Sequence, residues 1–165
     1  MDHAVSVRLC IDNGLILPAL TLIYTGTDLA ASLARPLGQP KVTRSDFIRW
    51  AETYMECRQR LGVEGIDLYG ARCGIVHTYT PDSDLYREGK AKRIMYSWGD
   101  QEPQSATSLV RGLGYSEIFI KVEVLFEVFC IGLDKFAEAI ATDKELEARV
   151  LSPAGQLFAH YRSFP

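Results

Sequence analysis

Apolar and polar residues recur at helical spacing over most of this chain. The stretch from Ala4 to Ile11 is short and apolar, and Asn13-Gly14 is a stop signal. Pro18 opens a second helix that runs to about Ala34. Within it Leu22, Gly26, Leu29 and Leu33 follow one another at steps of four, three and four, which predicts a buried stripe. Arg35-Pro36-Leu37-Gly38-Gln39-Pro40 reads as a loop from its proline and glycine content. Ser45 can cap a third helix, because its hydroxyl can accept from the open amides that follow. Phe47, Ala51, Tyr54 and Met55 supply the apolar side of that helix, and Gly62 ends it. A fourth helix is expected from about Gly65 or Ile66 to Tyr79, with Ile66, Tyr69, Cys73 and Val76 as its core stripe. Pro81 stops it, since proline disfavours helical geometry at the preceding residue and has no amide proton.

From 81 to 114 the pattern is irregular. Pro81-Asp82-Ser83-Asp84 is a turn, and Arg87, Lys90, Lys92 and Arg93 crowd together after it. Ile94, Tyr96 and Trp98 then alternate with Arg93, Met95 and Ser97, a short strand closed by Gly99-Asp100 and Glu102-Pro103. Ile118-Phe119-Ile120 is a candidate partner strand. A long helix is expected from about Lys121 to Ala141, although residues 117 to 126 also fit a strand. Glu123, Glu127, Asp134 and Glu138 form its polar face, and Leu125, Phe126, Phe129, Leu133, Phe136 and Ile140 lie elsewhere around it. A last helical stretch runs from Lys144 to about Tyr161, interrupted by Ser152-Pro153. The pattern predicts an all-α class: a single domain over 1–165, an antiparallel bundle of about five or six helices, with a small β excursion around 92–120.

Composition narrows the chemistry. An apolar fraction of 47% with 24% charged residues belongs to an ordered globular chain. The net charge of -3 excludes a broadly basic surface, so any nucleic-acid contact must be a local patch or a transient visit to an active site. No apolar run is expected to reach the ~18 residues of a membrane span. Met1-Asp2-His3-Ala4 lacks the basic and apolar segments of a secretory signal. Cys10, Cys57, Cys73 and Cys130 are scattered without a CxxC pair, which argues against structural zinc and a disulfide framework. A reduced, cytoplasmic setting is the expectation.

Of the three histidines, His3 sits in a terminus expected to be loose and His160 near the other end. His77 lies inside a well-patterned region that reads Arg72-Cys73-Gly74-Ile75-Val76-His77-Thr78-Tyr79. Arg and His at this spacing, near the end of an inner helix of a small bundle, resemble the R-x4-H motif of the HEPN superfamily. With Tyr79 the motif becomes R-x4-H-x-Y, a form seen in the toxin half of HEPN and nucleotidyltransferase toxin–antitoxin pairs. Tyr24-Thr25-Gly26-Thr27-Asp28 also looks like the second helix of such proteins. Many members carry Asn, Asp or His directly after the Arg; here that place is Cys73, whose stripe spacing predicts burial. The resemblance implies an endoribonuclease that needs no metal or cofactor, with Arg72, His77 and Tyr79 at its centre. It also implies a homodimer, an RNA substrate, and a nucleotidyltransferase-type antitoxin as possible partner, able to adenylylate Tyr79.

Arg and His suit this chemistry on physical grounds as well. RNA cleavage by its own 2′-hydroxyl needs one proton removed and another delivered to the leaving oxygen. Imidazole, with an ordinary pKa of about 6.5, can do either near neutral pH. A planar guanidinium can hold two oxygens of the phosphorane. Five residues of ideal helix rotate by ~500°, leaving Arg72 and His77 about 140° apart. Either the helix loosens after Gly74, or two copies face each other across a twofold axis. Tyr79, nearly two turns from Arg72, would align with it if the helix persists.

Each of these residues also has a plainer reading. Arg72 and His77 can form an interhelical salt bridge or compensate the helix dipole. Tyr79 can simply pack at a helix end. Arg87, Lys90, Lys92 and Arg93 can steer RNA phosphates, or form a solvated face. Tyr96 and Trp98 can stack bases, or serve as core or dimer contacts. Tyr24 and Asp28, at i and i+4, predict a local hydrogen bond, with Asp28 an alternative partner for Arg72. A non-catalytic HEPN-like module that binds RNA or protein is the competing functional expectation.

Overall fold

The computed structural model describes residues 2–101, 103–113 and 117–159. Helix α1 (Asp2–Asp12) ends at the Asn13-Gly14 stop, and α2 (Ile16–Ala34) runs to the proline-rich loop. The third helix divides into α3 (Arg44–Trp50), a wider π-helical turn (Ala51–Met55) and α4 (Cys57–Leu61). Next come α5 (Gly65–Thr78) and a single turn, α6 (Asp84–Arg87). Strand β1 (Ile94–Ser97), α7 (Pro103–Gly112) and β2 (Ile118–Lys121) follow. Finally α8 (Val122–Thr142) and α9 (Lys144–Ala159) complete the described chain. The fold is therefore mostly helical, with one small sheet among the described residues.

The strands pair in parallel, Ile94 opposite Ile118 and Ser97 opposite Lys121. Parallel neighbours need a crossover, and α7 supplies it. Residues 103 to 112, expected to be irregular, are thus helical for a topological reason. The strand and helix readings of 117–126 both hold, in series: β2 passes into α8 with no loop between them.

Helix α2 packs against α1, α3, α5, α8 and α9. By length and composition it could cross a membrane, contrary to the expectation of no such run. Here Ala19, Leu20, Ile23, Tyr24, Gly26, Thr27, Ala30 and Ala31 are buried in the protein. That face differs from the expected one. Leu22 and Leu33 are only half-buried and Leu29 is 47% exposed. Neighbouring helices approach α2 over small side chains, which a count of large apolar residues undervalues.

The same correction applies to α5. Ile66, Tyr69, Cys73 and Val76 are all half-buried, while Leu68, Ala71 and Ile75 face the core beside Gly70 and Gly74. The two glycines admit the segment that follows the helix. A Cβ on Gly70 would lie 3.3 Å from Ser83 Oγ and 3.2 Å from the Ala91 Cβ. One on Gly74 would lie 2.4 Å from the Thr80 carbonyl oxygen. Residues 80–92 therefore run back along α5, tightly past Gly70 and with no room for a side chain at Gly74.

Three smaller corrections concern helix ends. The N-cap of α3 is Thr43, not Ser45: the Asp46 carboxylate accepts from the Thr43 amide at 2.8 Å and from its hydroxyl at 2.7 Å. Helix α9 continues through Ser152 and Pro153, because one proline removes a single ladder bond without having to end a helix. His3 belongs to α1 and bonds the Leu22 carbonyl through Nε2 at 2.7 Å. His160 and Tyr161 lie outside the described residues.

Candidate active site

The C-terminal half of α5 carries the R-x4-H-x-Y residues. The helix opens on Glu64, whose amide donates to the Asp67 carboxylate at 3.0 Å. Its far end closes on Gly74, whose carbonyl accepts from the Thr78 hydroxyl at 2.9 Å, the Tyr79 amide and the Thr80 amide at 3.3 Å. The Tyr79 bond spans five residues rather than four, a wider closing turn than the α-helical one.

Arg72 and His77 meet within one chain: Arg72 Nη1 is 2.8 Å from His77 Nε2. Both residues stand on unbroken α-helix, and the reach of the arginine side chain unites them without a twofold axis. A guanidinium has only donors, which makes Nε2 the acceptor in this contact and leaves the ring proton on Nδ1. The imidazole is exposed.

The other side of Arg72 is anchored on α2. Arg72 Nε donates to Asp28 Oδ2 at 2.7 Å and Nη2 lies 2.6 Å from the same oxygen. The two side chains keep only 19% and 22% of their accessible surface. Partial burial works against the charge on Arg72, but the Asp28 carboxylate outweighs it and raises the guanidinium pKa. Tyr24 does not bond Asp28. Its hydroxyl meets that of Tyr96 at 2.5 Å and ties α2 to β1, and burial pushes both phenols up. Tyr96 is thus a structural partner, whereas Trp98 is 46% exposed.

Tyr69 and Arg44 join the site without having been expected there. The Arg72 and Arg44 guanidinium carbons stand 5.9 and 5.8 Å from the Tyr69 ring centre, cation–π distances. A tyrosine three residues before an arginine on a helix is the signal that could have pointed to it. Arg44, distant in sequence, had none. Cys73, expected to be buried, is half-buried.

Tyr79 departs from expectation. The helix ends at Thr78 and Tyr79 turns into the left-handed region with φ 55°, so it does not align with Arg72 along a continuing helix. Its side chain is 65% exposed. The four basic residues divide. Arg93 lies 3.3 Å from the Asp82 carboxylate and 4.5 Å from the Tyr86 ring centre. Asp82 in turn abuts Gly74, which places Arg93 toward the C-terminal end of α5. Lys90 and Lys92 line a depression at its opposite end with Glu64, Ile66 and Asp67. Lys90 pairs with Glu88 at 2.7 Å, and Arg87 with Asp84 at 2.5 Å.

No protein-family pattern, curated protein or solved structure matches the chain.

Proposed function

We propose that this chain is a metal-independent endoribonuclease of HEPN type, the toxin arm of a cytoplasmic toxin–antitoxin or antiphage system. The observation that carries the reading is the 2.8 Å approach of Arg72 to an exposed His77, with Arg72 held from behind by Asp28. A phosphodiester entering at this edge meets a fixed guanidinium and an accepting imidazole nitrogen together. His77 Nε2 takes the proton of the 2′-hydroxyl as that oxygen attacks phosphorus. Arg72 Nη1 stabilises the charge gathering on the phosphorane oxygens, and Asp28 keeps the guanidinium from drifting. The departing 5′-oxygen is protonated by the imidazolium, leaving a 2′,3′-cyclic phosphate and a 5′-hydroxyl. Tyr79 contacts phosphate and serves as the adenylylation point for a nucleotidyltransferase-type antitoxin. Of the four basic residues, Arg93 lies toward this end of α5 and steers the strand. The family resemblance also supports an antiparallel HEPN bundle that works as a homodimer, two such pairs facing one cleft.

The test is cleavage of bulk or transfer RNA in EDTA. Wild type cuts, and Arg72→Ala and His77→Ala each lower the rate by about 10²- to 10⁴-fold. Equal rates in these variants remove the proposal. A second reading, a non-catalytic module that binds RNA or protein, is favoured by one observation: two of the Arg72 nitrogens are already committed to Asp28. On that reading the purified chain binds RNA without shortening it.

A further inference from the structure

A separate pocket of about 170 Å³ lies between the end of α2, α3, the π-helical turn and α9. Its polar lining is Arg35, Asp46, Arg49, Trp50, Tyr54 and Arg149, with Thr53 beside them. Two donors there have no partner among the described residues: the Trp50 indole Nε1 and the Arg149 Nε, both buried. Trp50 itself is 2% exposed. A buried donor left unpaired is costly, and polar ligands commonly meet such groups. Three guanidinium groups surround the pocket against a single carboxylate. That carboxylate is occupied: Asp46 Oδ2 accepts from the Thr43 amide, the Thr43 hydroxyl and Gln39 Nε2 at 2.6 Å. Arg35 is held by the Gln39 carbonyl at 3.0 Å and by Ser32, which fixes its head in place. Arg49 only grazes Asp46 at 3.7 Å and is 64% exposed, free to fold over an entering group. Burial pushes the Tyr54 phenol pKa up, so its hydroxyl remains a donor. The π-helical turn that carries Thr53 and Tyr54 is a rare element that recurs at functional sites.

We propose that this pocket binds the phosphate of a small phosphate monoester. The net excess of two positive charges over the lining matches a dianion, and phosphate near neutral pH carries ≈ −1.5 to −2. The guanidinium groups of Arg35, Arg49 and Arg149 and the Tyr54 hydroxyl form the donor set around its oxygens, and the unpartnered Trp50 Nε1 and Arg149 Nε belong to lining side chains. The site is independent of the ribonuclease reading and does not share a residue with the Arg72–His77 pair.

The experiment follows the indole N–H signals of the full chain by two-dimensional NMR. Trp98→Phe identifies which of the two indole signals belongs to Trp50. Titration with inorganic phosphate is expected to move the Trp50 signal saturably, and Arg149→Gln to weaken that binding by about tenfold or more. A nucleoside 5′-monophosphate binding more tightly than inorganic phosphate identifies an ester as the natural source, and equal binding identifies free phosphate. A Trp50 signal that does not move overturns the proposal. So does one that moves equally with acetate, or one that Arg149→Gln leaves unaltered. Amide signals of Arg149→Gln that otherwise match wild type show that the loss is not a folding defect.

Discussion

Each end of α5 is tied down by an aspartate, and the two carboxylates are used differently. At the N-terminal end Asp67 is 3% exposed and accepts only from backbone: the Glu64 amide at 3.0 Å and the Lys92 amide at 2.7 Å. At the C-terminal end Asp28 is partly open and holds a side chain, Arg72, which passes the contact on to exposed His77. A buried carboxylate satisfied by amides fixes chain direction. A partly exposed one that orients a side-chain cation leaves that cation available to a ligand. Asp46, at the start of α3, belongs with Asp67: buried, and bonded to its own N-cap. The difference separates architecture from chemistry within one helix.

The largest effect that would break this comparison lies at Gly74, where both ends depend on the returning chain. Gly74→Ala drives a Cβ into the Thr80 and Asp82 backbone. It is expected to cost about 3 kcal/mol in urea unfolding, because backbone cannot move aside as a flexible side chain would. A loss under about 0.5 kcal/mol would show that the 80–92 segment does not lie where it is described. Next come the two aspartates themselves. Asp67→Ala leaves two part-buried amides without their acceptor and should cost about 2 kcal/mol while leaving RNA cleavage per folded molecule unchanged. Asp28→Asn should cost less than about 1 kcal/mol, as half-exposed pairs do, yet slow cleavage at least tenfold. Matching profiles for the two variants would erase the distinction.

The helix limits, the strand partner and the Arg72–His77 pair were legible in the sequence because each has a local signature. Asn13-Gly14, Gly62 and Pro81 punctuate the chain, residues 93–98 alternate and have the apolar Ile118-Phe119-Ile120 as candidate partner, and an arginine and a histidine near a helix end mark themselves. The buried faces of α2 and α5 were not legible. Their contacts run over Gly26, Ala30, Gly70 and Gly74, where closeness of approach rather than side-chain size decides burial. Crossover α7 follows from strands pairing in parallel, which residues 94–97 and 118–121 do not announce. The anchoring of Arg72 by Asp28 was named from the sequence as one alternative and is present, although periodicity carries no information between positions 44 apart. The Thr43 cap did have a signal, a hydroxyl three residues before Asp46, but Ser45 competes with it in the same stretch.

Acid sharpens the architectural side at smaller scale. Burial raises the Asp46 carboxyl pKa, but the hydrogen bonds from Thr43 and Gln39 outweigh it and hold the group below its ordinary 3.8. A folded value below the unfolded one adds stability above the unfolded carboxylate range and loses it as pH falls through the folded value. Asp46→Asn should therefore unfold with a weaker pH dependence below about pH 4 than wild type, a difference of about 1 kcal/mol. An unchanged acid profile would separate Asp46 from the capping role. The smallest effect is at Tyr79. Relief of its left-handed backbone by Tyr79→Gly should raise stability by about 0.5 kcal/mol in thermal unfolding. A loss of stability would mean that the exposed ring packs against something.

The most direct test of the Arg72–His77 account is the chemistry of the ends left on RNA treated with the protein in EDTA. The account predicts 2′,3′-cyclic phosphates facing 5′-hydroxyls, absent when His77→Ala is used. Products ending in 3′-hydroxyl and 5′-phosphate, or the same products from the His77→Ala protein, would contradict it.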